Sequence, residues 1–407
     1  MNLTFTKKSK ILMTTLIKNY CSNHEEKFNR NTLKIFKELY DHLKKSETSV
    51  NKLDISNIRI SEKINNERDI PKSSDFSYII KTARDEINKI SEYKTIYYFY
   101  LFDRHIRIYF ITSILNVKEL DKHVYKILIW LHIINHYNTN KTCSRELNIY
   151  IYLTSLLKFL PTKIDVKIDK DNITTGFTTT CSVKSNIVIY RKEEWFKVFI
   201  HETFHNLALD FSGMDNKITK KLILKLFPVK SDIKLYEAYT DSWAKICNVI
   251  LCSYFTCNKK FVPFITNVNI LLNLERTYSC FQVIKVLDFM GLTYLDLHSK
   301  SSERVERRGK LYYEKTSILS YYIINLILLN NYQGFFELCR EININLLQFD
   351  NTVEKQKMFC KFIELNYKTE SLKKYINCIA ELFNILKKDA KMGYVMRNMR
   401  KSLCELE

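Results

Sequence analysis

Glycine and proline are scarce in this chain, whose 407 residues include only 6 Gly and 4 Pro. Because these two residues make most tight turns and interrupt helices, their scarcity argues against a fold of many short strands. The chain is otherwise globular in composition, with 46% hydrophobic and 13% aromatic residues, and it is long enough for two or three cores. We therefore expect a mainly α-helical protein with a small β-sheet, an α+β fold.

Paired cysteine motifs are absent. The eleven cysteines, an odd number, include no C-x-x-C pair, and their spacing resembles neither a disulfide framework nor a zinc ribbon. No long apolar region of the kind found in secretory signals opens the chain. The simplest inference is a reducing compartment, so we expect a cytoplasmic protein.

Long apolar runs are also missing. Residues 316–336 contain no charged side chain, which makes them the one stretch where a membrane span has to be considered. The strongly apolar part covers only residues 318–329, too short to cross a hydrocarbon core of about 30 Å. We expect a buried helix there and no membrane span.

Acidic residues are outnumbered by basic ones, 44 against 64, for a formal charge of +20. Such an excess can indicate a nucleic-acid partner. The basic residues are scattered, apart from a denser C-terminal group that includes Lys387, Lys391 and Arg400, and no nucleic-acid motif accompanies them. A nucleic-acid partner stays open, but solubilising surface charge is favoured.

Histidine is rare, with 9 in the chain, yet two stand four residues apart in an H-E-x-x-H motif made by His201, Glu202 and His205. On a helix the two histidines share one face, where their ring nitrogens can converge on one metal ion. Glu202 can then reach a water on that metal and take its proton. The alternative is a buried helix whose two histidines are merely hydrogen-bonded.

The segment before this motif has a strand-like pattern. Ile164, Val166 and Ile168 alternate with charged residues, the period of a half-exposed strand, and residues 186–190 are rich in β-branched side chains. We expect two or three strands that form a small sheet immediately upstream of the helix with the H-E-x-x-H motif, which we call the metal helix.

The metal helix itself is expected to open at residues 192–194, with acids in its first turn, and to stop at Ser212 and Gly213. Residues 1–90 are typical of charged amphipathic helices, and residues 146–160 indicate one more apolar helix.

A second acidic feature lies in residues 236–244 (YEAYTDSWA), where Glu237 and Asp241 are four residues apart. On so apolar a helix, two carboxylates are costly without a cation to satisfy them. A sheet, an H-E-x-x-H helix and a later helix with this acid pair together resemble the gluzincin zinc metallopeptidases, which include thermolysin-like and neprilysin-like enzymes. The resemblance implies that Glu237 is the third metal ligand and that Asp241 orients His201.

Metzincins, another group with the same motif, are excluded because Ala208 and Phe211 occupy the places of their glycine and third histidine. Tyr236 stands where thermolysin-like enzymes usually have asparagine before the ligand glutamate. The amino-acid sequence of residues 190–200 and the high content of Lys, Asn, Ile and Tyr also resemble predicted metallopeptidases of large DNA viruses. That resemblance implies a location in the host cytoplasm or the virion.

The gluzincin resemblance implies zinc-dependent peptide hydrolysis. One Zn2+ would be held by His201, His205 and Glu237 and would lower the pKa of its bound water to about 7. Glu202 would act as general base and then pass the proton to the leaving amine. The partner would be a peptide or protein, laid in extended form along an edge strand near residues 175–177.

Two rival functions stay open. One is a zinc-binding structural protein without proteolytic activity, and the other is a basic helical nucleic-acid-binding protein with a coincidental motif. The residue that stabilises the oxyanion is also open, with these candidates: His298, Tyr312, Tyr313, Ser317, Tyr321 and Tyr322.

The predicted organisation has three parts. An N-terminal helical region covers residues 1–161, a zincin-like catalytic core covers 162–257, and a C-terminal helical domain that completes the cleft covers 258–407.

Overall fold

A computed structural model of the chain describes residues 3–17, 27–163 and 166–407. It is 58% helix and 11% strand with one mixed sheet of six strands, which confirms the mainly α class with a small sheet. The strands are β1 (Arg59–Lys63), β2 (Tyr93–Leu101), β3 (Arg104–Thr112), β4 (Glu146–Tyr152), β5 (Gly176–Thr178) and β6 (Lys184–Ile189).

The α-helices run from end to end of the chain, and a π-helix (Leu319–Ile324) directly precedes one of them. They are α1 (Lys7–Ile17), α2 (Arg30–Val50), α3 (Lys81–Ile90), α4 (Val117–Tyr137), α5 (Lys170–Ile173), α6 (Trp195–Asn206), α7 (Lys217–Leu226), α8 (Leu235–Thr256), α9 (Phe261–Phe289), α10 (Ser302–Leu311), α11 (Asn325–Asn330), α12 (Tyr332–Ile342), α13 (Val353–Asn366), α14 (Glu370–Lys387) and α15 (Gly393–Arg397).

The sheet has the strand order β1-β2-β3-β4-β6-β5. β2 runs antiparallel to both of its neighbours, β1 and β3. β3, β4 and β6 are parallel, and β5 runs antiparallel to β6 at the edge. β5 and β6 are the strands expected just upstream of the metal helix. The strand predicted around Val166 and Ile168 was wrong, because residues 166–169 form no strand, whereas residues 164 and 165 lie outside the described residues.

Four of the six strands lie in the region read as helical. The helix predicted over residues 146–160 was wrong, because β4 occupies residues 146–152 between β3 and β6. A parallel strand covered on both faces is apolar nearly throughout, so periodicity cannot separate it from a buried helix. The hairpin of β2 and β3 turns at Phe102 and Asp103, both with positive φ, without the glycine that usually marks such a turn.

The chain folds into two compact units. The sheet unit comprises Lys37–Leu157 and Thr174–Gly213, and the helical unit comprises Met1–Phe36, Lys158–Ile173 and Met214–Glu407. The three-part division at residues 161 and 257 stays a prediction.

In the sheet unit, helices cover both faces of the sheet. Phe110 of β3 packs near His123 of α4 on one face, and the next residue, Ile111, joins a cluster with Ala83 and Ile87 of α3 on the other. This alternation follows from the two-residue period of a strand. α6 packs on the α4 side, where Trp195 contacts the ring of His123.

A disulfide joins Cys143 and Cys181 in the sheet unit. The expectation that the cysteines form no disulfide framework was therefore wrong for this pair, which links the segment before β4 to the loop between β5 and β6. Cys378 is disulfide-bonded as well. Thirty-eight residues separate Cys143 from Cys181, so the pairing has no local sequence signal.

The helical unit is built around α8 and α9, which are buried on nearly every side except over residues 261–270 of α9. Its C-terminal segment lies inside the unit: Arg400 is fully buried, donates from Nε to the Ser402 carbonyl at 3.1 Å and pairs with Glu405 at 3.3 Å. Arg400 therefore adds nothing to a basic surface. Residues 318–329 are buried, as expected, apart from the half-buried Tyr321. No helix among the described residues is long and apolar enough to cross a membrane.

Candidate metal centre

The H-E-x-x-H motif lies in α6. His201, Glu202 and His205 are buried, with 5%, 6% and 7% of their surface exposed. The two histidines stand one turn apart and their Nε2 atoms face each other at 3.1 Å. The helix begins at Trp195, and Glu194 before it has a left-handed backbone. The prediction of acidic residues in the first turn was therefore wrong, because Glu193 and Glu194 precede the helix.

The end of α6 also differs from the expectation. The helix stops at Asn206, because Ala208 takes a positive φ of 53° and the Leu209 amide donates to the Phe204 carbonyl at 2.8 Å. This is the hydrogen bond of a Schellman motif, which usually carries glycine at the left-handed position. The stop predicted at Ser212 and Gly213 was too late.

The early reversal brings Asp210, which sequence reasoning missed, back against the helix. Its carboxylate contacts Nδ1 of His205, and its other oxygen accepts from the Ser212 amide at 3.1 Å and hydroxyl at 2.6 Å. Burial raises the pKa of Asp210, but His205 and the Ser212 hydrogen bonds outweigh burial and keep that pKa below its ordinary value. An ionised Asp210 can only accept, so Nδ1 of His205 carries a proton, and in the neutral imidazole Nε2 then presents its lone pair.

Polar contacts within the sheet unit hold α6 in place. Asn206 accepts from the Ser144 hydroxyl at 2.6 Å and donates to the Thr178 hydroxyl of β5 at 3.0 Å. Trp130 of α4 donates to the Thr203 hydroxyl at 2.8 Å. Because these partners are buried, apart from the half-buried Thr178, their hydrogen bonds restrict both the rotation and the sliding of the helix.

Close packing at Gly176 of β5 adds to this restraint. A Cβ added there would lie 2.7 Å from the Val188 carbonyl oxygen of β6 and 3.1 Å from the Val198 side chain of α6. Glycine is thus required where the edge strand, its neighbour and the metal helix approach one another.

The acid pair lies in α8 of the helical unit. Glu237 is in the first turn of that helix and is half-buried, and Asp241, one turn later, is fully buried. Asp241 lies 3.7 Å from the ammonium of Lys245, four residues further on. The buried carboxylate therefore has a cation in its own helix.

His201, His205 and Glu237 form one group: a ligand atom of each lies within 4.8 Å of those of the other two. Two nitrogens about 2.05 Å from one tetrahedral zinc would lie about 3.3 Å apart, close to the 3.1 Å between the Nε2 atoms. Two imidazoles and a carboxylate also match the ligand set of a catalytic zinc that keeps one open position. The residues present fit Zn2+.

The candidates for oxyanion stabilisation are mostly engaged elsewhere. The buried hydroxyls of Tyr312 and Tyr322 donate to Glu314 and to the Met399 carbonyl, both at 3.0 Å. His298 packs against the rings of Tyr294 and Tyr367. Tyr313 and Tyr321 lie beneath lysine ammonium groups, and Ser317 is half-buried.

The comparisons with known proteins yield no relative. The candidate centre therefore has only its own residues and geometry as support, because no family model, no curated protein and no solved structure matches the chain.

Proposed function

We propose that the protein is a zinc-dependent metallopeptidase of the gluzincin type that hydrolyses peptide bonds. The observation that carries the proposal is the convergence of His201, His205 and Glu237 on one point, beside a buried Glu202. Zinc supplies Lewis-acid chemistry when bound: it makes water acidic near neutral pH and polarises a carbonyl.

The roles of the side chains follow from their chemistry. His201, His205 and Glu237 would hold the metal, and Asp210 keeps the Nε2 lone pair of His205 available. Glu202 accepts a proton from the attacking water and delivers it to the leaving amine. The resemblance assigns Asp241 to orient His201.

The substrate we propose is a peptide or protein in extended form. β5 lies at the edge of the sheet, next to β6 and packed against α6. An edge strand presents main-chain donors and acceptors that can pair with an added strand. Residues 176–178 thus offer an edge strand, next to the helix that carries the general base, with which an extended peptide can pair.

A cytoplasmic location stays a prediction. The Cys143–Cys181 disulfide weighs against a strongly reducing compartment, because disulfides persist mainly in oxidising ones.

The general base is tested with Glu202→Gln. An amide side chain at this position cannot take a proton, so we expect full zinc content by elemental analysis and loss of cleavage across a peptide library. Glu354→Gln, which alters an exposed acid in the first turn of α13, is the matched control and should cleave like wild type. Normal cleavage by the Glu202 variant would sink the mechanism.

The third ligand is tested with Glu237→Ala, which removes one of three donors. We expect substoichiometric zinc after dialysis. Glu303→Ala, which alters an exposed acid in the first turn of α10, should keep one zinc per chain. Equal zinc in both variants would take Glu237 out of the metal site.

A zinc-binding structural protein is the second candidate, favoured by the engaged hydroxyls of Tyr312 and Tyr322. It predicts one zinc per chain and no hydrolysis of any peptide by wild type. A nucleic-acid-binding protein with a coincidental motif predicts no zinc and a steep salt dependence of binding.

A further inference from the structure

Helix α8, which supplies Glu237, carries a charged row that continues away from the proposed centre. Glu237, Asp241 and Lys245 stand four residues apart, so they share one face of the helix. Glu237 is half-buried, whereas Asp241 and Lys245 have 0% and 2% of their surface exposed. A buried ammonium is very costly unless it is paired and hydrogen-bonded, so Lys245 requires an explanation.

Two neutral side chains hold the ammonium of Lys245. It donates to Oδ1 of Asn325 at 2.6 Å and to the hydroxyl of Ser279 at 3.0 Å, and it lies 3.7 Å from Oδ2 of Asp241. The two acceptors come from α11 and α9, so Lys245 is held from two directions. Asp241 supplies a negative charge near the Lys245 ammonium from the same helix.

The π-helix before α11 sets this contact. Ser320 donates to the Lys234 carbonyl at the start of α8 at 2.9 Å, and Asn325 donates to the Ser242 hydroxyl at 2.8 Å. Because a π-helix hydrogen-bonds residues five apart, it aligns Ser320 and Asn325 on α8 better than an α-turn does. The two contacts bracket the turn of α8 that holds Glu237 and Asp241.

A second buried carboxylate, Glu275 of α9, also interacts electrostatically with Lys245. Burial raises the pKa of Glu275, and the charge of Lys245 lowers it by a smaller amount. Glu275 already has its own donors. Its Oε1 accepts from the Ser402 hydroxyl, and it accepts from the amides of Leu403 and Cys404 at 3.0 Å in both cases. Glu275 thus has donors in the C-terminal segment, whereas the carboxylate of Asp241 lies 3.7 Å from the Lys245 ammonium on the same helix.

We propose that Lys245 is a positioning residue of the metal centre, which holds Asp241 in the orientation needed to receive the ring N–H of His201. The inference rests on the proposed zinc site. It adds that the site extends through α8 to the π-helix, where Asn325 sets the place of Lys245.

The test compares Lys245→Met with Lys285→Met in the full chain. Lys285 is an equally buried lysine, but its ammonium donates to the main-chain carbonyls of Val395 and Asn398, both at 2.7 Å, instead of to side chains near Asp241. Zinc dissociation constants are measured by chelator competition, and cobalt absorption spectra report ligand geometry. We expect Lys245→Met to weaken zinc binding about tenfold or more and to shift the cobalt spectrum, and Lys285→Met to do neither.

Epistasis separates positioning from folding. In an Asp241→Asn background, the further change Lys245→Met should leave zinc affinity unchanged, because the carboxylate it positions is gone. This charge-balanced double variant also serves if Lys245→Met alone does not fold. A Glu275→Gln background should retain the full effect of Lys245→Met.

Each other result overturns the inference. Equal zinc affinity in Lys245→Met and wild type, or a further loss in the Asp241→Asn background, shows that Lys245 serves folding alone. If wild type binds no zinc, the proposed function fails, and the inference fails with it. Zinc binding by wild type with an unaffected Lys245 variant refutes only the inference.

Discussion

Replacing Asp210 with asparagine should change which ring nitrogen of His205 carries the proton, while the side chain keeps the same shape. The Asp210 carboxylate accepts the Nδ1 proton of His205, and the Ser212 amide and hydroxyl occupy its other oxygen. In Asp210→Asn, the amide oxygen can keep both Ser212 bonds. The amide NH2 then donates to Nδ1, which places the proton of His205 on Nε2, the atom that faces His201.

A protonated Nε2 cannot bind a metal, so zinc has to displace the favoured tautomer. Loss of an outer partner of this kind lowers metal affinity by roughly 10- to 100-fold, which corresponds to about 1.4–2.7 kcal/mol. Chelator competition measures the zinc dissociation constant, and the nitrogen chemical shifts of His205 in the metal-free protein report its tautomer. Both should change together.

Asp215→Asn is the matched control. Asp215 lies five residues further on and is exposed, where it accepts from the Lys217 amide at 2.8 Å near the start of α7. That change should leave zinc affinity within about twofold. Unaltered zinc affinity in Asp210→Asn, with a shifted tautomer, would refute the reasoning that Asp210 prepares His205 for metal.

Two further predictions concern stability. Burial, with Lys126 and Lys192, holds the pKa of His123 well below its ordinary value of 6.5. The unfolded chain therefore binds a proton at His123 more readily, so the stability is full above pH 6.5 and falls below it by up to about 1.4 kcal/mol per pH unit. Urea melts of His123→Phe should show a shallower loss of stability with acid than wild type. Gly176→Ala places a methyl group 2.7 Å from a backbone carbonyl oxygen of β6 and should cost about 1–3 kcal/mol, whereas Gly213→Ala, with open space around it, should cost less than about 0.5 kcal/mol; equal melting temperatures for the two variants would contradict the close packing.

Sequence patterns were informative where one periodicity dominated. The spacing of His201, Glu202 and His205 placed them on one buried helix, and the apolar surroundings of Glu237 set it apart from an ordinary surface acid. Residues 186–189 are part of β6, because β-branched side chains suit a buried sheet position. These inferences needed only local spacing and burial.

The missed features depend on backbone states that their residue types rarely adopt. Phe102, Asp103 and Ala208 all have positive φ without being glycine. Nothing in their identity marks the β2–β3 hairpin or the early end of α6, so both were overlooked. Asp210 was missed as a consequence, because only the reversal at Ala208 brings it to His205.

β4 illustrates a different limit. Its inward and outward residues are both apolar because helices and loop side chains cover both faces of the sheet. After Glu146 and Asn148 at its start, the strand is apolar on both faces, so a two-residue period cannot be recognised over residues 149–152 and the apolar run 146–160 was predicted as a helix. Only the pairing with β3 and β6 resolves the ambiguity.

The 3.1 Å between the two Nε2 atoms fits two states, and zinc removal distinguishes them. Without metal, a neutral His205 presents a lone pair at Nε2, so a direct hydrogen bond between the two rings requires His201 to carry its proton on Nε2. With metal, both Nε2 atoms are ligands and the proton of His201 must sit on Nδ1. Zinc should therefore switch the tautomer of His201 and leave that of His205 unchanged, as nitrogen chemical shifts would show.

The same titration should stabilise the fold by mass action, by about 2.7 kcal/mol when free zinc reaches 100 times its dissociation constant. A melting temperature that does not respond to zinc or to a chelator, with His201 protonated on Nε2 throughout, would mean that the two histidines are only a hydrogen-bonded pair. Zinc-dependent melting with His201 still protonated on Nε2 would instead place the metal on other ligands, because a metal at Nε2 cannot coexist with a proton there.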